Sequence, residues 1–319
     1  CSRHNRLSLR GNSIAWSEVA LIQGKIDPEN RAQPIQKQAG NMTTLASPRP
    51  SLFRRAAAVL AVAATAALSA CASMGASSTG STAESAIGLY ELRVYTAAPG
   101  KAAALDTRFR DHTISLFKKH GMTPISFFHV APQPGQTLDN RLFYVMGYKD
   151  RAARDASWTA FAADPEWKQV YADSQKDGSL TTKIENFFLS PTDYSPKLNT
   201  KSAAAPRHFE LRTYTVMPGR LEDLHTRFRD HTLRIFAKHG MTNFLYWRPV
   251  ADQPAMTDKM VYLLAFPSQE ARNESWKAFG ADEEWKKVAA DSQKTGPMLI
   301  SPGGVVSVQL TPTDYSPLR

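Results

Sequence analysis

Residues 107–122 read TRFRDHTISLFKKHGM, and residues 226–241 read TRFRDHTLRIFAKHGM, a displacement of 119 positions. Seven consecutive identities followed by a shared KHGMT exceed what composition produces. The chain therefore contains an internal repeat, and its fold has to be one unit used twice. A length of 319 residues leaves room for about two domains.

The first copy opens with LYELRVYT (residues 89–96), which alternates as a strand and stops at Pro99-Gly100. Tyr90, Leu92 and Val94 share one face; Glu91, Arg93 and Tyr95 share the other. Residues 101–120 have helical spacing, with Leu105, Phe109, His112 and Leu116 on one arc and Gly121 as the C-cap. Strands are expected near 125–131 and 141–148. A helical region at 151–176, broken at Asp164-Pro165, carries Trp158, Phe161, Trp167 and Tyr171. A last strand near 182–189 runs into PTDYSP.

The second copy follows the same plan from FELRTYT, with strands near 244–250, 260–266 and 305–311, and Trp276, Phe279 and Trp285 on its second helical region. It too ends in PTDYSP. The order β-α-β-β-α-β is the ferredoxin-like plan. Both helices of such a unit pack on one side of its sheet and leave the other face bare. Two units can close those faces on each other. The expected fold is α+β: two ferredoxin-like βαββαβ repeats, residues 89–196 and 208–319, joined by a linker at 197–207 and forming an intramolecular dimeric α+β barrel.

The remaining residues read differently. Residues 1–41 are polar and aperiodic, and a start at Met42 would make them an upstream extension foreign to the protein. From Met42 a basic stretch, MTTLASPRPSLFRR, precedes the apolar run AAAVLAVAATAAL at 56–68. That run is shorter than the roughly 20 residues of a membrane span and suits a signal-peptide core. It ends in Leu68-Ser69-Ala70-Cys71, which resembles a bacterial lipobox and implies cleavage before Cys71 and lipidation of its sulfur. Residues 42–71 are thus read as a lipoprotein signal, and the small-residue stretch at 72–88 as a flexible tether. Ala72, not Asp, follows Cys71, so the expected address is the outer membrane, facing the periplasm.

Six of the ten net positive charges fall within residues 1–71, where nine Lys/Arg meet three Asp/Glu. The repeats are therefore not basic enough to argue for nucleic acid. The only cysteines, Cys1 and Cys71, lie outside the repeats. This excludes a disulfide framework, a cysteine-based zinc cluster and a cysteine nucleophile there. No GxGxxG, Walker A, HExxH or GxSxG pattern occurs.

The ordered set ELRxYT–PG, RFRDHT–KHGM, WxAFxADxEW and the closing strand, present twice, resembles the NIPSNAP family. The resemblance implies the dimeric α+β barrel already derived. It implies no reaction, because the family has no agreed mechanism.

His112 and His231 are the candidate catalytic residues, since a half-buried imidazole with a reference pKa near 6.5 is suited to acid–base work or to binding haem. The competing reading is that each only orients its helix. Arg108 and Arg227 stand beside them, and a pairing with Asp111 and Asp230 three positions on is expected. Arg110 and Arg229 point elsewhere and can reach across between the repeats. Glu91, Arg93 and Tyr95, with Glu210, Arg212 and Tyr214, are expected inside the barrel, either as a register-fixing lattice or as a ligand chamber. Tyr144 and His129 are matched to Leu263 and Arg248 in the second copy. His120 and His239 are expected to cap their helices, and the repeated tryptophans to form core or wall a pocket.

Together these features describe a lipid-anchored envelope protein that binds a small molecule or an envelope protein, with no metal and no nucleic acid. A cofactor-independent oxygenase or isomerase working through His112 and His231 is the alternative. Association of further copies is left open.

Overall fold

A computed structural model describes residues 87–133, 135, 137–198 and 205–319. The leader, the lipobox and most of the tether lie outside the described residues, as does much of the linker. The first repeat consists of β1 (Leu89–Ala97), α1 (Ala102–Arg108), a π-helical turn (Phe109–Thr113), α2 (Ile114–Lys119), β2 (Thr123–Val130), β3 (Arg141–Tyr148), α3 (Arg151–Ala163), α4 (Pro165–Ser174) and β4 (Thr181–Pro191). The second consists of β5 (His208–Thr215), α5 (Leu221–Arg227), a π-helical turn (Phe228–Thr232), α6 (Leu233–Lys238), β6 (Thr242–Pro249), β7 (Lys259–Phe266), α7 (Gln269–Ala281), α8 (Glu283–Asp291) and β8 (Val305–Pro312).

The eight strands close into one antiparallel barrel in the order β1-β3-β2-β8-β5-β7-β6-β4. Each repeat contributes a four-stranded ferredoxin-like sheet, and the seams are β2 against β8 and β4 against β6. Closure removes the exposed edges that either sheet would present alone.

The barrel interior is apolar. Tyr90, Leu92 and Val94 point inward to meet Phe209, Leu211 and Trp247 of the other repeat. The Tyr90 ring sits edge-on to Trp247 at 5.6 Å, and Phe128 meets Phe209 at 4.8 Å. This corrects the expected assignment of faces. Glu91, Arg93, Tyr95 and their second-repeat counterparts face the helices, not the interior. Side chains from all eight strands fill an eight-stranded barrel, and a buried carboxylate there would have no counter-charge, whereas the helix side supplies one.

The first helix of each repeat is not uniform. Thr113 Oγ1 donates to the Arg108 carbonyl five residues back at 3.1 Å, and Thr232 repeats this bond to Arg227 at 3.1 Å. The π turn inserts one residue into the helical phase. Thr113 and Thr232 therefore take the buried position, while His112 and His231 turn out to solvent. The same turn separates the expected pairs: Arg108 and Arg227 are buried, whereas Asp111 and Asp230 are exposed. Gly121 and Gly240, at φ +75° and +78°, end the helices in the left-handed conformation that glycine tolerates.

Each PTDYSP segment docks on the opposite repeat. Arg110 donates twice to Asp314 at 2.9 and 2.7 Å, and Arg229 donates twice to Asp193 at 2.7 and 2.8 Å. Ser316 Oγ accepts from the Phe127 amide, and Ser195 Oγ from the Tyr246 amide, both at 3.0 Å. His120 and His239 each lie 2.6 Å from the carboxylate of Asp164 or Asp282, which also cap the N-termini of α4 and α8. Tyr144 is opposite Arg93, and Tyr262 is opposite Arg212. Tyr262, not Leu263, is thus the counterpart of Tyr144, because the loop before β7 is one residue shorter than that before β3.

Candidate functional site

On the helix side of each sheet lies a buried carboxylate between two guanidiniums. Arg93 donates to Glu91 at 2.9 Å, Arg154 of α3 adds two bonds at 2.6 and 2.9 Å, and Trp158 Nε1 donates at 3.1 Å. In the second repeat Arg212, Arg272, Trp276 and Ser307 converge on Glu210 in the same way. Burial alone would raise these carboxyls. The two arginines overrule it and hold each at about 2. A carboxylate so compensated is a poor base near neutral pH. Arg93 and Arg212 also stack on Trp158 and Trp276, 4.4 and 4.3 Å from the ring centroids.

Past Arg212 the two halves diverge. Arg212 Nη2 donates to Tyr214 Oη at 3.3 Å, and Tyr214 lines a cleft of about 480 Å³ together with Arg227, Trp285, Ala289, Met298 and Ile300. That volume lies within the roughly 300–1,000 Å³ of small-molecule sites. Two sequence differences open it. Registered on the repeated Trp167 and Trp285, Ala289 of α8 takes the position of Tyr171 in α4. Tyr171 packs on Trp167 at 5.7 Å between centroids, with the Arg108 guanidinium 5.7 Å from its ring. Ala289 leaves that volume to the cleft.

The second difference is a loop. In the first repeat the β1–β4 ladder passes one bulged residue, Thr182, between Thr181 and Lys183. In the second, Ile300–Gly303 replaces it. Thr215 accepts from the Ile300 amide at 3.2 Å and donates to the Gly304 carbonyl at 2.9 Å, and this pins the loop at both ends. Gly304 is needed there, because a Cβ would sit 2.2 Å from the Ile300 oxygen.

Among the described residues Arg227 is the single charged one lining the cleft. It is 7% exposed. Its Nη1 donates to Ser292 Oγ at 3.2 Å and its guanidinium lies 5.2 Å from the Trp285 centroid. Among the described residues no carboxylate pairs with it, and its Nε has no hydrogen-bond partner. Burial pulls its pKa below the usual arginine value.

Of the predicted residues, Tyr214 and Arg227 come together at this cleft, with Arg212 and Glu210 behind them. Glu91, Arg93, Tyr95 and Arg108 form the corresponding cluster in the first repeat, closed over by Tyr171. His112 and His231 are exposed and line no part of the cleft. Ala289 and the Ile300–Gly303 loop were not singled out in the sequence, although aligning the two copies exposes both.

A buried histidine also went unremarked. His225 is 0% exposed, its Nδ1 lies 2.6 Å from Tyr194 Oη, and burial pushes its pKa down to about 4. In the first repeat Asp106 fills its place and accepts from Tyr315 at 2.6 Å. Neither a transmembrane helix nor a cluster of three or more metal-ligating side chains occurs among the described residues.

Fold and site together define a single-chain dimeric α+β barrel whose two halves are unequal. The NIPSNAP family model matches residues 90–196 and again residues 209–317, and the chain belongs to the NIPSNAP family. No curated protein matches it. Among solved structures it is similar to a NIPSNAP-like domain protein from Burkholderia xenovorans, at 23% identity over 35% of this chain and 90% of that one, with a TM-score of 0.30. It is similar to a NIPSNAP family protein from Agrobacterium tumefaciens str. C58, at 24% identity over 34% and 97% of the two chains, with a TM-score of 0.30. An anthrone oxidase-like protein matches at 11% identity over 71% and 91%, with a TM-score of 0.45. At these identities the likenesses say nothing of activity.

Proposed function

We propose that this protein binds a small molecule in the cleft of its second repeat, at the cell envelope, where a lipid on Cys71 holds it to the membrane. The cleft carries the reading: a cavity of about 480 Å³ walled by Trp285, Met298 and Ile300, with one buried guanidinium, exists where the second copy departs from the first. A purely structural duplication has no need of a loop that holds such a space open. The anchor rests on the sequence at 56–71 and on the small-residue tether behind it. A binding role is favoured over catalysis through His112 and His231, because both imidazoles are solvent-exposed. Neither lines the cleft.

The test is a thermal-shift screen of a small-molecule library on the full chain and on Ala289→Tyr, which rebuilds the first repeat's closure. Compounds that stabilise the parent and leave Ala289→Tyr unmoved support the proposal. Hits that shift both proteins equally place binding elsewhere and refute it.

A further inference from the structure

The cleft holds a charge with no counter-charge among the described residues. Removing a guanidinium from water is costly unless an anion or a full set of acceptors replaces the lost hydration. At Glu91 and Glu210 this protein provides one: Arg93, Arg154, Arg212 and Arg272 all end on one of these two carboxylates. Arg220, two turns before Arg227, pairs with Asp223. Among the described residues Arg227 receives only the Ser292 hydroxyl and the Trp285 face. It lines an open cleft whose other walls are largely Trp285, Met298, Leu299, Ile300 and Val305.

Resting on the binding role proposed above, we infer that the ligand of this cleft is an amphipathic monocarboxylate, its carboxylate on Arg227 and its apolar body against Trp285 and the Met298–Ile300 wall. The fit is specific in two respects. A single cation matches a single negative charge, whereas a phosphate ester at about −1.5 to −2 would be under-compensated. A planar carboxylate also matches the guanidinium, which donates through parallel N–H bonds. Tyr214, held at 3.3 Å by Arg212, stands on the same cleft wall and keeps the polar end joined to the Glu210 cluster. The first repeat cannot take such a ligand in the same way, because Tyr171 lies over Trp167 and Arg108 there.

Isothermal titration calorimetry on the full chain tests this with four probes: octanoate, 3-phenylpropanoate and their neutral primary amides. The acids bind more tightly than the matched amides by about 10- to 100-fold, the range of a charge-assisted hydrogen bond. Arg227→Met removes that preference, and Ala289→Tyr removes binding of all four probes. Near-UV circular dichroism of each variant confirms a native fold; should Arg227→Met fail to fold, Arg227→Gln takes its place. If amides bind as well as acids in a manner sensitive to Ala289→Tyr, the carboxylate inference is wrong and the cleft stands as a binding site. If no probe binds, or binding survives Ala289→Tyr, the cleft reading fails and the inference falls with it.

Discussion

Ala289 stands in the second repeat where Tyr171 stands in the first, and that exchange, together with the Ile300–Gly303 loop, separates an open cleft from a closed one. In the first repeat the Tyr171 phenol packs at a tilt on Trp167, 5.7 Å between centroids, and covers Arg108. Truncating it should destabilise the fold without disturbing the second cleft. Tyr171→Ala is expected to cost about 1–2 kcal/mol, below the about 3–5 kcal/mol of a fully buried aromatic because Tyr171 is half-buried. Urea unfolding measures the loss, and an unchanged midpoint would mean that Tyr171 packs against nothing of consequence.

The Glu91 and Glu210 clusters set the acid limit of the fold. Each carboxyl drops from an ordinary 4.5 to about 2 on folding. The folded state therefore binds fewer protons than the unfolded chain between those values. The stabilisation is complete above about pH 4.5 and is lost as pH falls toward 2. Glu91→Gln should flatten that part of the pH–stability curve. At pH 7 it should cost about 3–5 kcal/mol, since it leaves Arg93 and Arg154 buried without their counter-charge. Chemical denaturation from pH 2.5 to 7 shows both effects; parallel curves for parent and variant would contradict the account.

His225 makes a separate acid-sensitive element. Its pKa falls from 6.5 to about 4 through burial, with Arg248 adding repulsion. The unfolded chain takes up a proton below about pH 6.5 that the folded protein refuses, so stability declines as pH falls from 6.5 to 4. An NMR titration should find the His225 ring neutral at pH 5, accepting at Nδ1 from Tyr194. In His225→Gln the decline over that range should become shallower, leaving the contribution of His208, which burial also lowers, and below about pH 4.5 that of the carboxylate clusters. Titration of His225 near 6.5 would overturn this.

The seam between repeats tests differently. Arg110–Asp314 and Arg229–Asp193 are bidentate but exposed, so each is worth at most about 1 kcal/mol and weakens with salt. Asp193→Asn should lower stability by that amount in dilute buffer and by less in 1 M salt, where screening is nearly complete. A larger and salt-independent loss would show that the pair does more than join surfaces.

The anchor is tested in the cell. Cys71→Ser should abolish lipid labelling and release the protein from the membrane fraction, while unchanged labelling would refute lipidation.

Much of the barrel was legible in the sequence because alternation, helical spacing and duplication are separate signals that agree. The orientation of β1 was not legible, because both of its faces are buried. Alternation distinguishes Tyr90, Leu92 and Val94 from Glu91, Arg93 and Tyr95 without saying which set meets the helices. The repeated Arg154-to-Trp158 and Arg272-to-Trp276 spacing on the outer helices carried the missing information, since those arginines need a carboxylate on the sheet face they cover. His112 and His231 were misplaced for a different reason. A period of 3.6 assumes an unbroken α-helix, and the π turn held by Thr113 and Thr232 moves them to solvent. The cleft leaves its trace only in the differences between copies, Ala289 for Tyr171 and Ile300–Gly303 for Thr182, which a search for identities passes over.

Trp167 and Trp285 occupy equivalent positions in the two repeats, and only Trp285 borders the cleft. The most direct test is a 1H–15N spectrum of the indole groups in the full chain during titration with 3-phenylpropanoate. Saturable displacement of the Trp285 signal, with Trp167 stationary, is the predicted result. A stationary Trp285 under conditions where calorimetry registers binding, or equal displacement of both indoles, would contradict a ligand site confined to the second repeat.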